Sequence, residues 1–377
     1  MAKDKLHVAL LFGGNSSEHD VSKRSAHNIY DAMDKEKYDV KLFMFTKDGI
    51  LIDDEASRRI FDGEPEDQVV QEAYAKMDLD SPLAPIKVLE AAGLIDFFYP
   101  VIHGNLGEDG TVQGLFRLLK KPYIGTGIAG SAMAFDKDLT KRILDHAGIR
   151  NTPYILLTPD NRADYPWHRI EEELGGLVFV KPAKQGSSVG IHKVTSAAEY
   201  DAALADAFGY DFKVLVEQGL DHPREIEISI LGNEEPIASK LGGISVPAGD
   251  DFYDYNNKFV DASGVVFDLP VPTSDKLREE ITTMALKAYK ALDLKGMARL
   301  DFLVDQNDVP YLGEPNTLPG FTNISLYPQM WKISGIDYSE LIDRLIQLGI
   351  EEFNHNNEIS YSFKSLGEEH VGEKRYH

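Results

Sequence analysis

The first part of the chain alternates between strand-like and helix-like stretches. A buried strand at 7–12 is followed by a glycine-containing turn and a helical stretch at 21–33. Further strands follow at 38–46 and 95–104, and the latter leads into a second helix at 110–121. Strands that alternate with helices are typical of a parallel sheet covered by helices on both faces. The pattern predicts an α/β fold, and a length of 377 residues predicts two or three domains.

The composition excludes several classes of protein. The chain has no cysteine, which excludes thiol nucleophiles, thiolate zinc sites, iron–sulfur clusters and disulfides. Its formal net charge of −23 argues against a nucleic acid partner, because a surface that binds phosphates must be basic. The chain begins with a short buried strand rather than a signal peptide, and nowhere do about 18 apolar residues run together. We therefore expect a cytoplasmic protein without a membrane partner.

Residues 53–80 form an acidic stretch with ten acidic and three basic side chains. Few large apolar residues interrupt it, which is typical of a segment exposed to solvent. The pattern predicts a solvated insertion outside the core, with no role in the chemistry.

The pattern changes near Asp136. An amphipathic helix comes next, followed by a run of short strands in which residues 177–194 form a predicted hairpin with a Gly/Ser loop. Residues 250–264 are polar and rich in aromatic residues without a clear period, which predicts a long loop. Ser274 is expected to cap a helix over 277–292. A second hairpin and a last helix are predicted beyond it.

Two glycine motifs suggest functions that their surroundings do not support. Residues 125–130 match the dinucleotide-binding pattern G-x-G-x-x-G, but only a very short strand precedes them. A turn that starts a helix is the favoured interpretation, and an NAD-dependent dehydrogenase stays as a remote alternative. Residues 186–190 match the G-x-S-x-G elbow of serine hydrolases, yet a strand-like stretch rather than a helix follows.

The string from Lys181 to Gly190 has the features of a phosphate-binding loop. A flexible Gly/Ser loop between strands presents backbone N–H groups to an anion, and the lysine at its base adds a positive charge. No Gly-Lys dipeptide occurs in the chain, which excludes a P-loop. An ordinary mobile hairpin tip is equally compatible with this string alone.

Four polar side chains are predicted to converge on one face of the second hairpin. Arg299 and Asp301 share a face of its first strand, and Glu314 and Asn316 share a face of its second strand. Opposed side chains lie about 5 Å apart, a spacing that suits Mg²⁺ because this ion prefers oxygen ligands. The adjoining loop, 315–322, could supply N–H groups for an oxyanion hole. The alternative is a surface ladder of ion pairs between the arginine and the two carboxylates.

Two further clusters give weaker signals. Residues 13–20 connect a strand to a helix through glycines, a geometry that suits an anion, although Glu18 and Asp20 add negative charge. A substrate ammonium group would explain these acids, and a capping box of Ser17 with Asp20 explains them equally well. His103 ends a strand at an edge where α/β folds bind ligands, but a hydrogen-bonded loop histidine is the favoured interpretation.

Taken together, the strings resemble the D-alanine–D-alanine ligase family of the ATP-grasp superfamily. They run in order along nearly the whole chain: LFGGNSSEHDVS, HGNLGEDGTVQG, PYIGTG, FDKDLTK, VKPAKQGSSVG, REIEI, FYDYNNKF, ARLDF and GEPNTLPGFTNISLYP. The resemblance implies a Rossmann-like N-terminal lobe followed by an ATP-grasp fold of two α+β lobes. It implies an N-terminal domain (1–135), a central lid (136–220) and a C-terminal domain (221–377) with a mobile loop at 250–264. It also suggests a homodimer.

The same resemblance implies which residues bind the nucleotide and the metal. ATP would contact Lys137, Lys181, Ser188, Glu217, Glu225 and Lys258. Of these, Lys137, Lys181 and Lys258 would reach the phosphates, and the two glutamates would lie near adenine and ribose. Two Mg²⁺ ions, with Mn²⁺ as an alternative, would be held by Asp301, Glu314 and Asn316.

The resemblance further implies a set of residues around the substrates. Glu18, with His103 nearby, would receive the ammonium group of the first D-alanine. The second substrate's carboxylate would bind Ser325 and the Leu326 N–H. The other residues expected around the reacting groups are Ser187, Tyr253, Phe259, Arg299 and Gly320, of which the arginine and the Gly320 N–H would stabilise the tetrahedral oxyanion.

The reaction implied by the resemblance needs no enzyme nucleophile. The D-alanine carboxylate attacks the γ-phosphate of ATP, which gives an acyl phosphate and ADP. The amine or hydroxyl of a second substrate then attacks the acyl carbon, and phosphate leaves. Because an acyl phosphate hydrolyses in water, a lid must close, and the loop at 250–264 is the candidate.

One residue departs from the pattern of dipeptide-forming members. They usually read A-K-Y where this chain reads Asn257-Lys258-Phe259, so a hydroxyl that would join Ser187 and Glu18 is missing. Members with phenylalanine at this position resemble the subgroup that joins D-alanine to D-lactate. We therefore expect D-alanyl-D-lactate for peptidoglycan precursors, which implies glycopeptide resistance, with the dipeptide D-alanyl-D-alanine as the alternative product.

Overall fold

The computed structural model describes residues 5–245 and 266–360. These residues form three β-sheets with accompanying helices, which confirms the predicted α/β class. No helix within the two described ranges is long and apolar enough to cross a membrane.

The first sheet consists of β1 (Leu6–Gly13), β2 (Tyr38–Phe45), β3 (Leu51–Ile52) and β4 (Phe97–Pro100). Its strand order is β3-β2-β1-β4, and β1 pairs in parallel with both β2 and β4. The helices of this part are α1 (His19–Ala32), α2 (Asp54–Phe61), α3 (Glu66–Tyr74), α4 (Ala84–Ala91) and α5 (Thr111–Leu118). The parallel sheet predicted from the alternation of strands and helices is confirmed.

The central strand β1 is buried on both of its faces. Val8, Leu10 and Phe12 belong to one hydrophobic core, whereas Ala9 and Leu11 belong to another. Successive side chains of a strand point to opposite faces, so two cores require the unbroken apolar run seen in the sequence.

The acidic stretch 53–80 is not a solvated insertion, and that prediction is wrong. It contains α2 and α3, whose apolar side chains Ile60, Val69 and Ala73 are buried in the first core. Most of the acidic residues lie on the outer faces of these helices, and a count of charges over the whole stretch misses this periodic arrangement.

The second sheet follows α6 (Ile128–Phe135) and α7 (Lys137–His146). It consists of β5 (Tyr154–Leu157), β6 (Val178–Pro182), β7 (His192–Val194) and β8 (Val214–Gln218), in the antiparallel order β5-β8-β6-β7. Two helices, α8 (Trp167–Leu174) and α9 (Ala197–Ala207), accompany it.

Both glycine motifs lie where the favoured interpretations place them. Gly127 is the N-cap of α6, so the motif at 125–130 is a turn that starts a helix and gives a dehydrogenase no support. The loop at 186–190 joins the antiparallel strands β6 and β7, and no helix follows Ser188 directly. A serine hydrolase elbow is therefore absent at this loop.

The third sheet consists of β9 (Arg224–Leu231), β10 (Ile237–Ala238), β11 (Gly242–Ser245), β12 (Val266–Asp268), β13 (Met297–Val304) and β14 (Pro310–Asn316). The order is β12-β11-β9-β13-β14, and β10 pairs with β9. The remaining helices are α10 (Asp275–Ala291), α11 (Leu326–Ile333) and α12 (Tyr338–Asn357). Ser274 caps α10 as predicted, because its Oγ accepts the Leu277 N–H at 3.2 Å.

The last two helices do not pack only on the sheet that precedes them in the chain. Trp331 of α11 and Leu341, Ile342 and Leu345 of α12 are buried in the first core, together with Leu10 of β1. The first and third sheets are thereby joined through shared helices. The domain boundaries at 135 and 220 stay a prediction.

Candidate functional site

One cavity, with a volume of about 670 Å³, lies where loops from all three sheets meet. It brings together many residues singled out in the sequence: Glu18, His103, Ser187, Arg299, Glu314, Asn316, Gly320, Ser325 and Leu326. Within the described ranges, the predicted site residues that do not line it are Lys137, Lys181, Ser188, Glu217, Glu225 and Asp301. The whole loop 250–264, with Tyr253, Lys258 and Phe259, lies outside the described residues.

The hairpin of β13 and β14 has the predicted register. Arg299 lies opposite Asn316, and Asp301 lies opposite Glu314, with a register shift directly after Asp301. The Asn316 Nδ2 donates to Asp301 Oδ2 at 2.9 Å, which fixes the amide beside the carboxylate. Period-two alternation and antiparallel pairing therefore place all four side chains on one face.

Arg299 is held by two carboxylates. Its Nε and Nη2 donate to the two oxygens of Asp301 at 2.8 Å each, and its Nε also lies 2.8 Å from Glu227 Oε2. Burial acts to lower the pKa of Arg299, but Asp301 and Glu227 outweigh it and raise the pKa well above the usual value. The guanidinium group is thus a fixed positive charge at the cavity wall.

The alternative of an ion-pair ladder describes only part of this hairpin. Arg299 pairs with Asp301, whereas Lys137 Nζ lies 3.4 Å from Glu314 Oε2. Two carboxylates and the amide oxygen of Asn316 remain grouped on one face. This is the oxygen-rich donor set that suits Mg²⁺, since hard cations prefer carboxylate and amide oxygens.

A second group of charges lies beside the Gly/Ser loop and the hairpin. Lys181 Nζ donates to Glu217 Oε2 at 2.9 Å, and Lys137 Nζ donates to the Gln185 carbonyl at 2.6 Å. Because Lys137 also reaches Glu314, it connects the Gly/Ser loop with the hairpin. Two lysines close to each other create the positive potential that a polyphosphate requires.

Lys141 belongs to this group and was missed in the sequence. It is 1% exposed and donates to Thr152 O at 3.0 Å and to Thr152 Oγ1 at 2.9 Å, while its Nζ lies 3.7 Å from Glu217 Oε1. Burial acts to raise the pKa of Glu217, but Lys141 and Lys181 outweigh it and lower the pKa to about 2. The sequence could have indicated Lys141 by its spacing, because positions 137 and 141 lie on the same face of α7 and Lys137 was already a predicted site residue.

Glu18 is the N-cap residue of α1, at the end of the glycine-containing turn after β1. Its side chain makes no capping hydrogen bond, and its N–H donates to Ser16 Oγ at 3.2 Å. The predicted capping box of Ser17 with Asp20 places the N-cap one residue earlier than the structure does, and Glu18 lines the cavity. A Cβ added at Gly186 would lie 3.7 Å from Glu18 Oε2, so the Gly/Ser loop between β6 and β7 packs against this carboxylate.

Only one of the two ring nitrogens of His103 has a hydrogen-bond partner in the ranges that the structure describes. Its Nδ1 lies 2.7 Å from the Leu318 carbonyl, whereas its buried Nε2 has no hydrogen-bond partner among the described residues. The favoured interpretation thus accounts for one ring nitrogen. The other nitrogen is available to a ligand in the cavity, which His103 lines.

Glu108 was not proposed as a site residue, although it lines the same cavity. Its carboxylate accepts the Gly104 N–H at 2.8 Å and the Leu318 N–H at 3.1 Å. Burial, followed by repulsion from Glu18, raises the pKa of Glu108 to about 7. The string HGNLGEDG contained this residue, but a strand-end motif alone does not indicate which acid turns inward.

The remaining wall combines a strained turn with a helix N-terminus. Ser187 has φ = 53°, in the left-handed region, and its buried Oγ has no hydrogen-bond partner in the described part of the chain. Ser325 is the N-cap of α11, and its Oγ accepts the Thr322 N–H at 2.9 Å. A Cβ at Gly320 would lie 2.9 Å from Ser325 Oγ, so any other residue there would have to displace this hydroxyl.

Two protein-family models match successive parts of the chain. The family model described as D-ala D-ala ligase N-terminus matches residues 7–126, and the one described as D-ala D-ala ligase C-terminus matches residues 143–347. Both models lie on the segments that build the cavity.

Individual relatives match over the whole chain. The D-alanine–D-alanine ligase of Limosilactobacillus fermentum is 78% identical, and the alignment covers 100% of both chains. The enzyme of the same name from Lactiplantibacillus plantarum is 62% identical over 97% of this chain and 99% of the relative.

Solved structures agree in fold. The D-alanine–D-alanine ligase from Coxiella burnetii has a TM-score of 0.79 at 33% identity, covering 94% of this chain and 98% of the other. The VanG D-Ala:D-Ser ligase from Enterococcus faecalis has a TM-score of 0.75 at 29% identity, covering 92% of this chain and 100% of the other. The predicted Rossmann-like lobe followed by an ATP-grasp fold is thereby confirmed.

Proposed function

Because this chain belongs to the D-alanine–D-alanine ligase family, we propose that it is an ATP-dependent ligase that joins two molecules of D-alanine. The observation that carries the proposal is the convergence of Arg299, Glu314 and Asn316 with Glu18 on one cavity. A site for activating a carboxylate needs cations for the phosphates and an acid for the ammonium group, and both are present there. The cytoplasmic location and the homodimer stay predictions.

The lysines and the hairpin act on the phosphoryl transfer. Lys137 and Lys181 offset the negative charge that builds up when the D-alanine carboxylate approaches the γ-phosphate. Asp301, Glu314 and Asn316 would hold Mg²⁺, which supplies Lewis-acid neutralisation of phosphate oxygens when bound. Glu217 would lie near the nucleotide's adenine, with Glu225 near its ribose and Ser188 at the loop.

The cavity residues act on the amino acids. Glu18 binds the ammonium group of the first D-alanine and so aligns its carboxylate with the phosphate. Arg299 and the Gly320 N–H face the oxyanion that forms when the second amine attacks the acyl phosphate, and the fixed Arg299 charge stabilises it. Ser325 and the Leu326 N–H receive the second carboxylate at the start of α11, where the helix dipole favours an anion.

The relatives' names support the dipeptide, which was the alternative product, rather than D-lactate as the second substrate. They give no support to a role in glycopeptide resistance. One observation still favours D-lactate as a second candidate, namely Phe259 in place of tyrosine. A pocket with one hydroxyl fewer favours a neutral hydroxyl nucleophile over an ammonium group that must first lose a proton.

The direct test of the function is release of ADP by the purified full-length protein. We expect ADP release that depends on D-alanine and on Mg²⁺, with D-alanyl-D-alanine identified by mass spectrometry. Adding D-lactate between about pH 6 and 9 then measures the competing depsipeptide, since deprotonation of the amine controls the competition. ADP release that needs no D-amino acid would refute the ligase proposal.

The second candidate is tested by Phe259→Tyr. We expect the variant to raise the ratio of dipeptide to depsipeptide at neutral pH by about 2- to 10-fold, the value of one net hydrogen bond. Phe212→Tyr, on an exposed side chain, is the matched control. An unchanged ratio in Phe259→Tyr would mean that this position does not select the second substrate.

A further inference from the structure

We propose that Glu66 of α3 is a positioning residue for the first amino acid, because it locks His19 and thereby fixes the turn that carries Glu18. This inference rests on the proposed function, in which Glu18 binds the ammonium group of D-alanine. It assigns a role to the acidic stretch 53–80, for which the sequence predicted none.

His19 connects the turn with α3 from a buried position. The side chain is on the first residue of α1 and is 2% exposed as a residue. Its Nδ1 lies 2.8 Å from the Gly14 carbonyl, and its Nε2 lies 3.0 Å from Glu66 Oε1. The latter contact is an ion-pair distance, although its direction is poor for a hydrogen bond. The imidazole ring therefore bridges the start of the turn and the neighbouring helix.

Lys23 makes the second contact with Glu66. Its Nζ bonds Glu66 Oε2 and lies 3.5 Å from Asp20 Oδ1, so the two oxygens of Glu66 are divided between two residues of α1. The close contacts with His19 and Lys23 outweigh burial and lower the pKa of Glu66 to about 2. Glu66 is thus ionised at neutral pH.

The position of Glu18 depends on contacts on both sides of the turn. On the side nearer Glu18, Ser16 Oγ donates to the His103 carbonyl at 2.8 Å and accepts the Glu18 N–H. On the other side, the Gly14 N–H donates to the Phe45 carbonyl at 2.8 Å. His19, whose ring is anchored in turn by Glu66, adds a restraint on the Gly14 carbonyl. Gly14 has φ = 109°, a conformation that other residues rarely adopt, so the turn needs an external restraint to keep one geometry.

A loosened turn would displace the Glu18 carboxylate from the ammonium group that it binds. Displacements of about 1 Å at a binding group are enough to reduce the rate strongly. Removing a residue that orients a ligand-binding side chain typically costs about 10- to 100-fold. The KM for D-alanine should rise and the KM for ATP should stay unchanged, because Lys137 and Lys181 contact Gln185, Glu217 and Glu314 rather than this turn.

The test compares Glu66→Gln with Glu72→Gln in the full-length protein. Both acids lie on α3, but Glu72 pairs with Arg59 on α2 and not with α1, which makes it the matched control. We expect Glu66→Gln to raise the KM for the first D-alanine about 10-fold while changing the KM for ATP less than about 2-fold. Glu72→Gln should change neither constant.

A double-mutant cycle with Glu18→Gln separates positioning from general loss of structure. If Glu66 acts through Glu18, adding Glu66→Gln to Glu18→Gln should raise the KM for D-alanine less than about 2-fold further. Effects that multiply, or a KM for ATP that rises equally, would overturn the inference. A wild-type protein that releases no ADP with D-alanine would instead refute the proposed function on which it rests.

Discussion

Replacing Arg299 with lysine is expected to lower kcat by about 10²- to 10³-fold, the cost of removing one oxyanion donor. Lysine keeps the positive charge but lacks the planar guanidinium group, which contacts both oxygens of Asp301 and also Oε2 of Glu227. The oxyanion would lose a donor held at a fixed position. Steady-state ADP release and product formation measure the change.

The control for this variant is Arg150→Lys, which alters an ion pair of Arg150 with Glu280 away from the cavity. Thermal unfolding of both variants shows whether a lysine at position 299 still pairs with Asp301 and Glu227 well enough to keep the fold stable. If Arg299→Lys keeps kcat within about 3-fold of wild type, a role for the guanidinium group in stabilising the transition state is contradicted.

Glu314→Gln is expected to reduce activity by more than the roughly 10- to 100-fold typical of an outer partner of a metal ligand. The substitution retains the size of the side chain but removes one of two carboxylates from the proposed Mg²⁺ site. It also removes the acid that faces Lys137 Nζ at 3.4 Å. The measurement is kcat as a function of Mg²⁺ concentration, where we expect half-saturation to shift to a higher concentration.

The matched control is Glu280→Gln, which removes a carboxylate of similar exposure without touching the hairpin face. Binding of Mn²⁺ followed by magnetic resonance gives a readout that does not depend on turnover. Unchanged Mg²⁺ dependence and unchanged Mn²⁺ binding in Glu314→Gln would exclude this residue as a metal ligand.

The hairpin face shows what the sequence could predict about the site. A two-residue period and a short turn predicted that Arg299, Asp301, Glu314 and Asn316 share one face, whereas the direct opposition of Asp301 with Glu314 is set by the observed register. The parallel first sheet was predictable for a similar reason, because strands buried on both faces are continuously apolar. Local geometry determines both features.

Other features depend on packing between distant segments and left no local pattern. Glu66 and His19 are 47 positions apart, and their contact exists only because α3 packs beside α1. The role of Lys141 could not be predicted, because a lysine in an amphipathic helix is common. Its contact with the buried Glu217, which is distant in sequence, explains its position. The acidic stretch was misjudged because total charge does not reveal which face of a helix is apolar.

The shared first core has a consequence for how the protein folds as it is synthesised. Leu10 on β1 and Leu345 on α12 pack in the same core, although they lie near opposite ends of the described chain. The sheet that leaves the ribosome first therefore keeps part of its apolar surface uncovered until the last helix arrives. Contacts of such sequence separation slow folding, because a long loop must close before burial compensates for it. The N-terminal lobe is thus completed last, by residues from the other end of the protein.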